Sequence, residues 1–226
     1  MIVSLNPTTT EILFALGIMP DAVSKVCDFP EAVSKCQRVG SPKSPDYDTI
    51  EELKPTLCFT QGDEQESVKA KLESLGFCTC HTNPLTLKDV YESFMQIAQV
   101  VHKNDEARAL INKIKATLSN DALKVKHKDV IRVHIKDAPK WMIELGPYAG
   151  VELYDKGKLD LDTFEPQLTL KPEAHHLRPS PRITQFVEWL GQKAHPEFAT
   201  FGSMRKDIDA YYEDIELPDP KAQYEN

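Results

Sequence analysis

The most constraining feature of the chain is an alternation in its first 85 residues. Short apolar runs of strand length, Ile2–Leu5, Ala22–Val26, Thr56–Thr60 and Phe77–Cys80, are separated by segments of helical character. Parallel strands cannot be joined by a tight turn, and a helix is the usual crossover between them. The alternation therefore predicts a small parallel α/β lobe whose ligand-facing loops lie at the carboxyl ends of its strands. Thr8 and Glu11 stand at capping-box spacing before ILFAL, with Gly17 as the stop. DTIEELKP reads as a short helix ended before Pro55, and EQESVKAKLESLG as an amphipathic helix stopped by Gly76. The intervening CDFPEAVSKCQRVGSPKSP is dense in Pro and Ser and too long for a mere connection, so it is expected to carry function.

From Leu87 the period changes. Val90, Phe94, Ile97 and Val101 keep one apolar face, and Leu110, Ile111, Ile114 and Leu118 another, with a break near His102-Lys103-Asn104. DVIRVHI then opens a second strand-bearing region, followed by the Pro- and Gly-punctuated KDAPKWMIELGPYAG. Residues 151–177 are weakly periodic, and SPRITQFVEWLGQKAHPEF is a helix with Pro181 in its first turn. The expected organisation is an amino-terminal lobe over 1–85, a helical backbone over 86–126, a reduced carboxyl-terminal lobe over 127–201 and an acidic tail over 202–226.

Net charge excludes one class of partner. At −8, with no basic face, the chain lacks what non-specific nucleic-acid binding requires. No apolar run approaches the roughly 20 residues of a bilayer span, so membrane insertion is not expected. The sequence opens directly in the strand-like MIVSL, without the basic and apolar segments of a secretory signal. As written this places it in the cytoplasm, and in the periplasm if an upstream signal has been removed. Five cysteines, an odd number without a framework spacing, suit a reducing compartment.

IVSLNPTTTEILFALG, CDFPEAVSKCQRVGSPKSPDYDTIEELKPTLCFT and LESLG, followed by a long helical stretch, resemble the helical-backbone (class III) solute-binding proteins. These deliver cobalamin or iron-siderophores to ABC importers, and the likeness is to the cobalamin-binding branch. It returns at RPSPRITQFVEWLGQKAHPE. The resemblance implies two α/β lobes with parallel-type sheets joined by a long rigid helix, the second lobe shortened between Gly150 and His175. It implies a monomer without catalytic activity that holds a metal chelate, cobalamin or an iron-siderophore, between its lobes and passes it to a permease. Ligand contacts would come from Pro7, Thr8 and Thr9 at the first helix, Phe29 and Ser41 in the loop region, Gln61 and Gly62 after a strand, and Trp141 from the second lobe. Thr10 shares that rim. Glu66, ten residues before Gly76, matches the glutamate with which the family docks on permease arginines. Val26, Pro42 and Gln61 stand where the family's ring-covering aromatics would align, with Phe29 nearby.

Two other readings use different residues. In one, ligand binding is lost and the chain serves as an interaction module through its acidic tail and Tyr211-Tyr212. In the other, Cys78, Cys80 and His81 form a thiol or metal site, against the commoner fate of strand cysteines as small hydrophobes. His175-His176 offers imidazoles to a metal centre, and Cys27 and Cys36 flank the long loop as a potential pair in an exported protein. No nucleophile-base motif, P-loop or dinucleotide fingerprint is present, so catalysis is not expected.

Overall fold

The structure is a computed structural model describing residues 1–120, 131–155 and 166–196. It divides into two compact units, Met1–Asn83 with Glu92–Leu110, and Pro84–Tyr91 with the described residues from Ile111 on.

The first unit is built on a five-stranded sheet of order β3-β2-β1-β4-β5. Its strands are β1 (Ile2–Ser4), β2 (Ala22–Val23), β3 (Gln37–Arg38), β4 (Leu57–Gln61) and β5 (Thr79–Thr82), and every pairing is parallel. The crossovers carry α1 (Pro7–Ala15), α2 (Tyr47–Leu53) and α3 (Glu66–Ser74). Both faces of the sheet are covered. Val3, Leu5, Ala22 and Cys58 pack with Ile50 of α2 and with Val68 and Leu72 of α3. Val23 joins Phe14 of α1 with Met19, Cys27, Val33 and Cys36. Ala22 and Val23 enter different clusters because successive strand side chains point to opposite faces.

The start of α1 differs from expectation. Its cap is Asn6, in extended backbone, whose Oδ1 accepts from the Thr8 N–H at 2.8 Å, and Pro7 is the first helical residue. Thr8 therefore lies inside the helix and the Thr8–Glu11 capping box does not form. Pro7 decides this, since its fixed φ suits the first helical position and it has no N–H to leave unpaired. The expected stop holds, with Gly17 at φ 74.

Two strands also shift. Gln37–Arg38 lies inside the expected loop, yet the Gln37 N–H donates to the Asp21 carbonyl at 3.0 Å and the Val39 N–H to that of Val23 at 3.0 Å. Both β3 residues are exposed. The fifth strand begins at Thr79 rather than Phe77, because Phe77 N–H closes the end of α3 on the Leu72 carbonyl at 3.1 Å.

The helical stretch forms α4 (Leu87–Val100) and α5 (Asn104–Asn120), divided where the break was expected. His102 takes φ 56, and the Lys103 N–H returns to the Ala98 carbonyl at 2.8 Å. Within the second unit, Lys115 Nζ lies 4.8 Å from the Tyr91 ring centroid, so α5 runs back past the start of α4.

The second unit contains a three-stranded parallel sheet of order β7-β6-β8: β6 (Ile131–Ile135), β7 (Val151–Tyr154) and β8 (Leu168–Leu170). The two outer strands fall in the weakly periodic segment, too short to display a pattern. α6 (Lys140–Ile143) and α7 (Ile183–Ala194) complete it. α7 starts two residues beyond Pro181, with Arg182 at its cap. The acidic tail and Tyr211-Tyr212 lie outside the described residues. Among the described residues no helix is long and apolar enough to cross a membrane.

Candidate functional site

In the first sheet β1 has β2 on one side and β4 on the other. The connections leaving β1 and β4 diverge there, the place in an open parallel sheet where the strand ends leave a crevice for ligand. The residues around it are Asn6 and Pro7 after β1, Ser41 and Pro42 after β3, and Gly62 after β4.

The hydroxyls at the mouth of α1 are turned inward. Thr9 and Thr10 have no exposed surface and Thr8 almost none. Thr9 Oγ1 and Thr10 Oγ1 each lie 2.8 Å from Ser4 Oγ, and 3.0 and 2.9 Å from the Asn6 carbonyl oxygen. Thr10 Oγ1 and Ser24 Oγ are each 3.2 Å from Cys27 Sγ. The cluster binds the end of β1 to the loop after β2. It satisfies polar groups that would otherwise be buried without partners, and it leaves Thr9 facing the core rather than the strand-end surface.

The surface there belongs to other residues. Pro7, Phe29, Ser41 and Gly62 are partly exposed. Gly62, at φ +79, has open space where a Cβ would sit. Gln61 is 8% exposed, and its Nε2 donates to Thr82 Oγ1 at 3.3 Å. Gly40 is the opposite of Gly62: a Cβ there would meet Asp46 N and Ser44 O at 2.7 Å, so the loop after β3 closes on itself only with glycine.

Two holding residues escaped the sequence reading. Arg38 reaches over the long loop, Nη1 donating to the carbonyls of Ser24 at 3.1 Å and Cys27 at 2.6 Å, and Nη2 to that of Val33 at 3.3 Å. Gln65, 2% exposed, bonds to backbone groups after β1 and β3 and at the end of β4. Neither has a local signal, because two of the three partners of each lie 11 to 60 residues away along the chain.

Glu66 opens α3 with its side chain 57% exposed. Its carboxylate is 3.4 Å from Lys69 Nζ and 3.8 Å from His81 Nε2. His81 Nδ1 lies 2.9 Å from Thr60 Oγ1, and burial holds its basicity below the ordinary imidazole value. Trp141 is core: it is 2% exposed in the second unit, and its backbone N–H donates to the Leu85 carbonyl at 3.0 Å.

The thiol set does not converge. Cys78 is exposed, Cys80 is buried, and His81 turns to the other side of the strand toward Thr60 and Glu66. Among the described residues no group of three or more His, Cys, Asp or Glu is placed to hold a metal ion. Burial raises the Cys80 and Cys36 thiols to about 11 and Cys58 to about 12, and Cys27 also upward. They remain protonated and unreactive near neutrality. Cys27 and Cys36 share one apolar cluster as free thiols. His176 is structural, with its ring 4.8 Å from that of Trp189 and its Nδ1 accepting from the Glu173 N–H at 3.3 Å.

A family model described as Periplasmic binding protein matches residues 2–143. The chain belongs to the periplasmic binding protein family. A relative in this family, the vitamin B12-binding protein of Vibrio vulnificus, is 28% identical over 166 residues, covering 67% of this chain. The chain spans 60% of that relative's length, and 50% of the vitamin B12-binding protein of Salmonella typhimurium. Among solved structures, a possible iron-binding, periplasmic solute-binding protein from Staphylococcus epidermidis superposes with a TM-score of 0.71 at 17% identity. The match covers 86% of this chain and 98% of that one. The periplasmic vitamin B12-binding protein BtuF of Vibrio cholerae superposes with a TM-score of 0.60 at 17% identity, covering 91% and 97%. At these identities the superpositions establish the periplasmic-binding-protein fold.

Proposed function

We propose that the chain is a solute-binding protein that carries a metal chelate of the cobalamin class over the carboxyl ends of its first sheet. Family membership and vitamin B12-binding relatives support this reading. The observation that carries it is the open shelf at the β1–β4 switch point, where Pro7 and Gly62 keep exposed surface and Gly62 leaves room for a ligand edge. In this reading Pro7, Ser41, Gln61 and Gly62 would form its floor and Phe29 its apolar side, with Thr8 behind. No chemistry is asked of these groups: they offer shape, apolar cover and backbone polarity. Trp141 is set aside because its ring is core.

Glu66 is the proposed contact to an ABC-importer permease, an exposed carboxylate at a helix start suited to an arginine partner. The proposed compartment is the periplasm. The direct test is calorimetric titration of the purified protein with cyanocobalamin, and separately with haemin and a ferric siderophore. Saturable one-to-one binding of any of these that weakens in Gly62→Val supports the reading. Absence of binding to all, at concentrations where a family member saturates, overturns it. Polar Gln61 and aliphatic Val26 and Pro42 at the ring-covering positions predict weaker corrinoid binding than an aromatic-lined site provides.

A further inference from the structure

We propose that Gln65 is a positioning residue of this site: one buried carboxamide sets the register of the loops that present Pro7, Ser41 and Gly62. Its Nε2 donates to the carbonyl of Leu5 at 3.1 Å and to that of Pro42 at 2.8 Å. Its Oε1 accepts from the Gln61 N–H at 2.8 Å. These partners lie next to Pro7, Ser41 and Gly62 respectively, except that Leu5 is separated from Pro7 by the cap Asn6. All are backbone groups, so the clamp acts on the path of the loops whatever side chains they carry.

The side chain suits the task. Among neutral side chains only the amides offer two donors and an acceptor on one planar group, and asparagine is one methylene shorter. The seat of Gln65 is itself fixed, since its own N–H donates to the Gly62 carbonyl at 3.0 Å. Although Gln65 stands at the cap of α3, its side chain makes no cap hydrogen bond there. It reaches back to the strand ends instead. Buried in this way, its bonds are not exchanged for water, and removing them leaves carbonyls and an N–H to be resolvated or left unpaired.

The consequence for ligand binding rests on the proposed function, whereas the clamp does not, and the test separates the two. In ligand-free protein, amide hydrogen exchange is compared between wild type, Gln65→Met and Gln65→Glu. Gln65→Met, similar in length and apolar, is expected to raise exchange about tenfold together in segments 5–8, 41–44 and 61–62, with 68–72 of α3 changed less than about twofold. Gln65→Glu keeps the acceptor for Gln61 but loses both donors, so it loosens 5–8 and 41–44 and spares 61–62. A general destabilisation does not produce that selective pattern. Equal acceleration throughout the first unit, or no acceleration in the three segments, overturns the proposal. In the same proteins, affinity for cyanocobalamin or haemin is expected to fall about tenfold in Gln65→Met. Loosened loops with unchanged affinity refute a role in the site. If wild type binds none of cyanocobalamin, haemin and the ferric siderophore, the ligand reading fails while the exchange pattern still decides the clamp.

Discussion

The two units treat buried polar groups differently. In the first, the hydroxyls of Ser4, Thr9 and Thr10 are joined to one another, and the amide of Gln65 is joined to backbone at the strand ends. In the second, among the described residues, buried His134 Nε2 and Thr184 Oγ1 have no hydrogen-bond partner, against His81 Nε2 in the first, and Asp155 Oδ1 is 3.9 Å from the His134 nitrogen. Helix starts do not follow this division: α1 is capped by Asn6 with Pro7 behind it, whereas neither α3 in the first unit nor α7 in the second has a side-chain cap bond. The second unit rests on apolar packing, with Phe186, Val187 and Leu190 of α7 fully buried. The difference shows where positional precision has been built, because directional bonds hold strand ends in place while apolar contact permits sliding.

The largest expected effect tests the tight loop against the open shelf. Gly40→Ala places a Cβ against backbone atoms at 2.7 Å at a positive φ, and should lower the unfolding free energy by about 3 kcal/mol or more. Gly62→Ala has the same φ with open space, and should lose only about 1 kcal/mol. Denaturant titration of the two variants measures the contrast, and equal losses would break it.

A pH effect comes next, in the second unit. Burial, then the positive fields of His175 and Arg182, depress His176 from 6.5 to about 4, and the Glu173 backbone N–H donates to its Nδ1. A depressed imidazole binds its proton less well when folded, so its contribution is complete above about pH 6.5 and declines as the pH falls toward 4. Relative to His176→Phe, the wild type should lose about 2 kcal/mol of stability across that window. A pH-independent difference would contradict the assignment.

Smaller effects compare satisfied with unsatisfied hydroxyls. Ser4→Ala removes a shared partner of Thr9 and Thr10 and should cost about 1–2 kcal/mol. Thr184→Val removes a hydroxyl without a hydrogen-bond partner, and should change stability by less than about 0.5 kcal/mol or raise it. Thermal unfolding of the pair sharpens the comparison, and a larger loss from Thr184→Val would reverse it.

Legibility in the sequence followed the range of the interaction concerned. Strand β1, helices α2 and α3 and the break at His102 were visible because each is specified by contiguous residues. The α1 cap falls on Asn6 rather than Thr8, and Asn6-Pro7 carries its own signal, a capping side chain before a first-position proline. Strand β3 was invisible because two exposed polar residues show no alternation. The three threonines read as a ligand rim because hydroxyls at a helix start suit either role. The approach of Ser4 and the Asn6 carbonyl turned Thr9 and Thr10 inward.

By itself the sequence determined the class of the fold and the family, since hydrophobic period and local stop signals act through neighbours along the chain. Tertiary structure alone decided which polar groups face outward at the strand ends. Gln65 and Leu5 are 60 residues apart, and a parallel sheet brings such positions together through pairing between strands that no local pattern encodes.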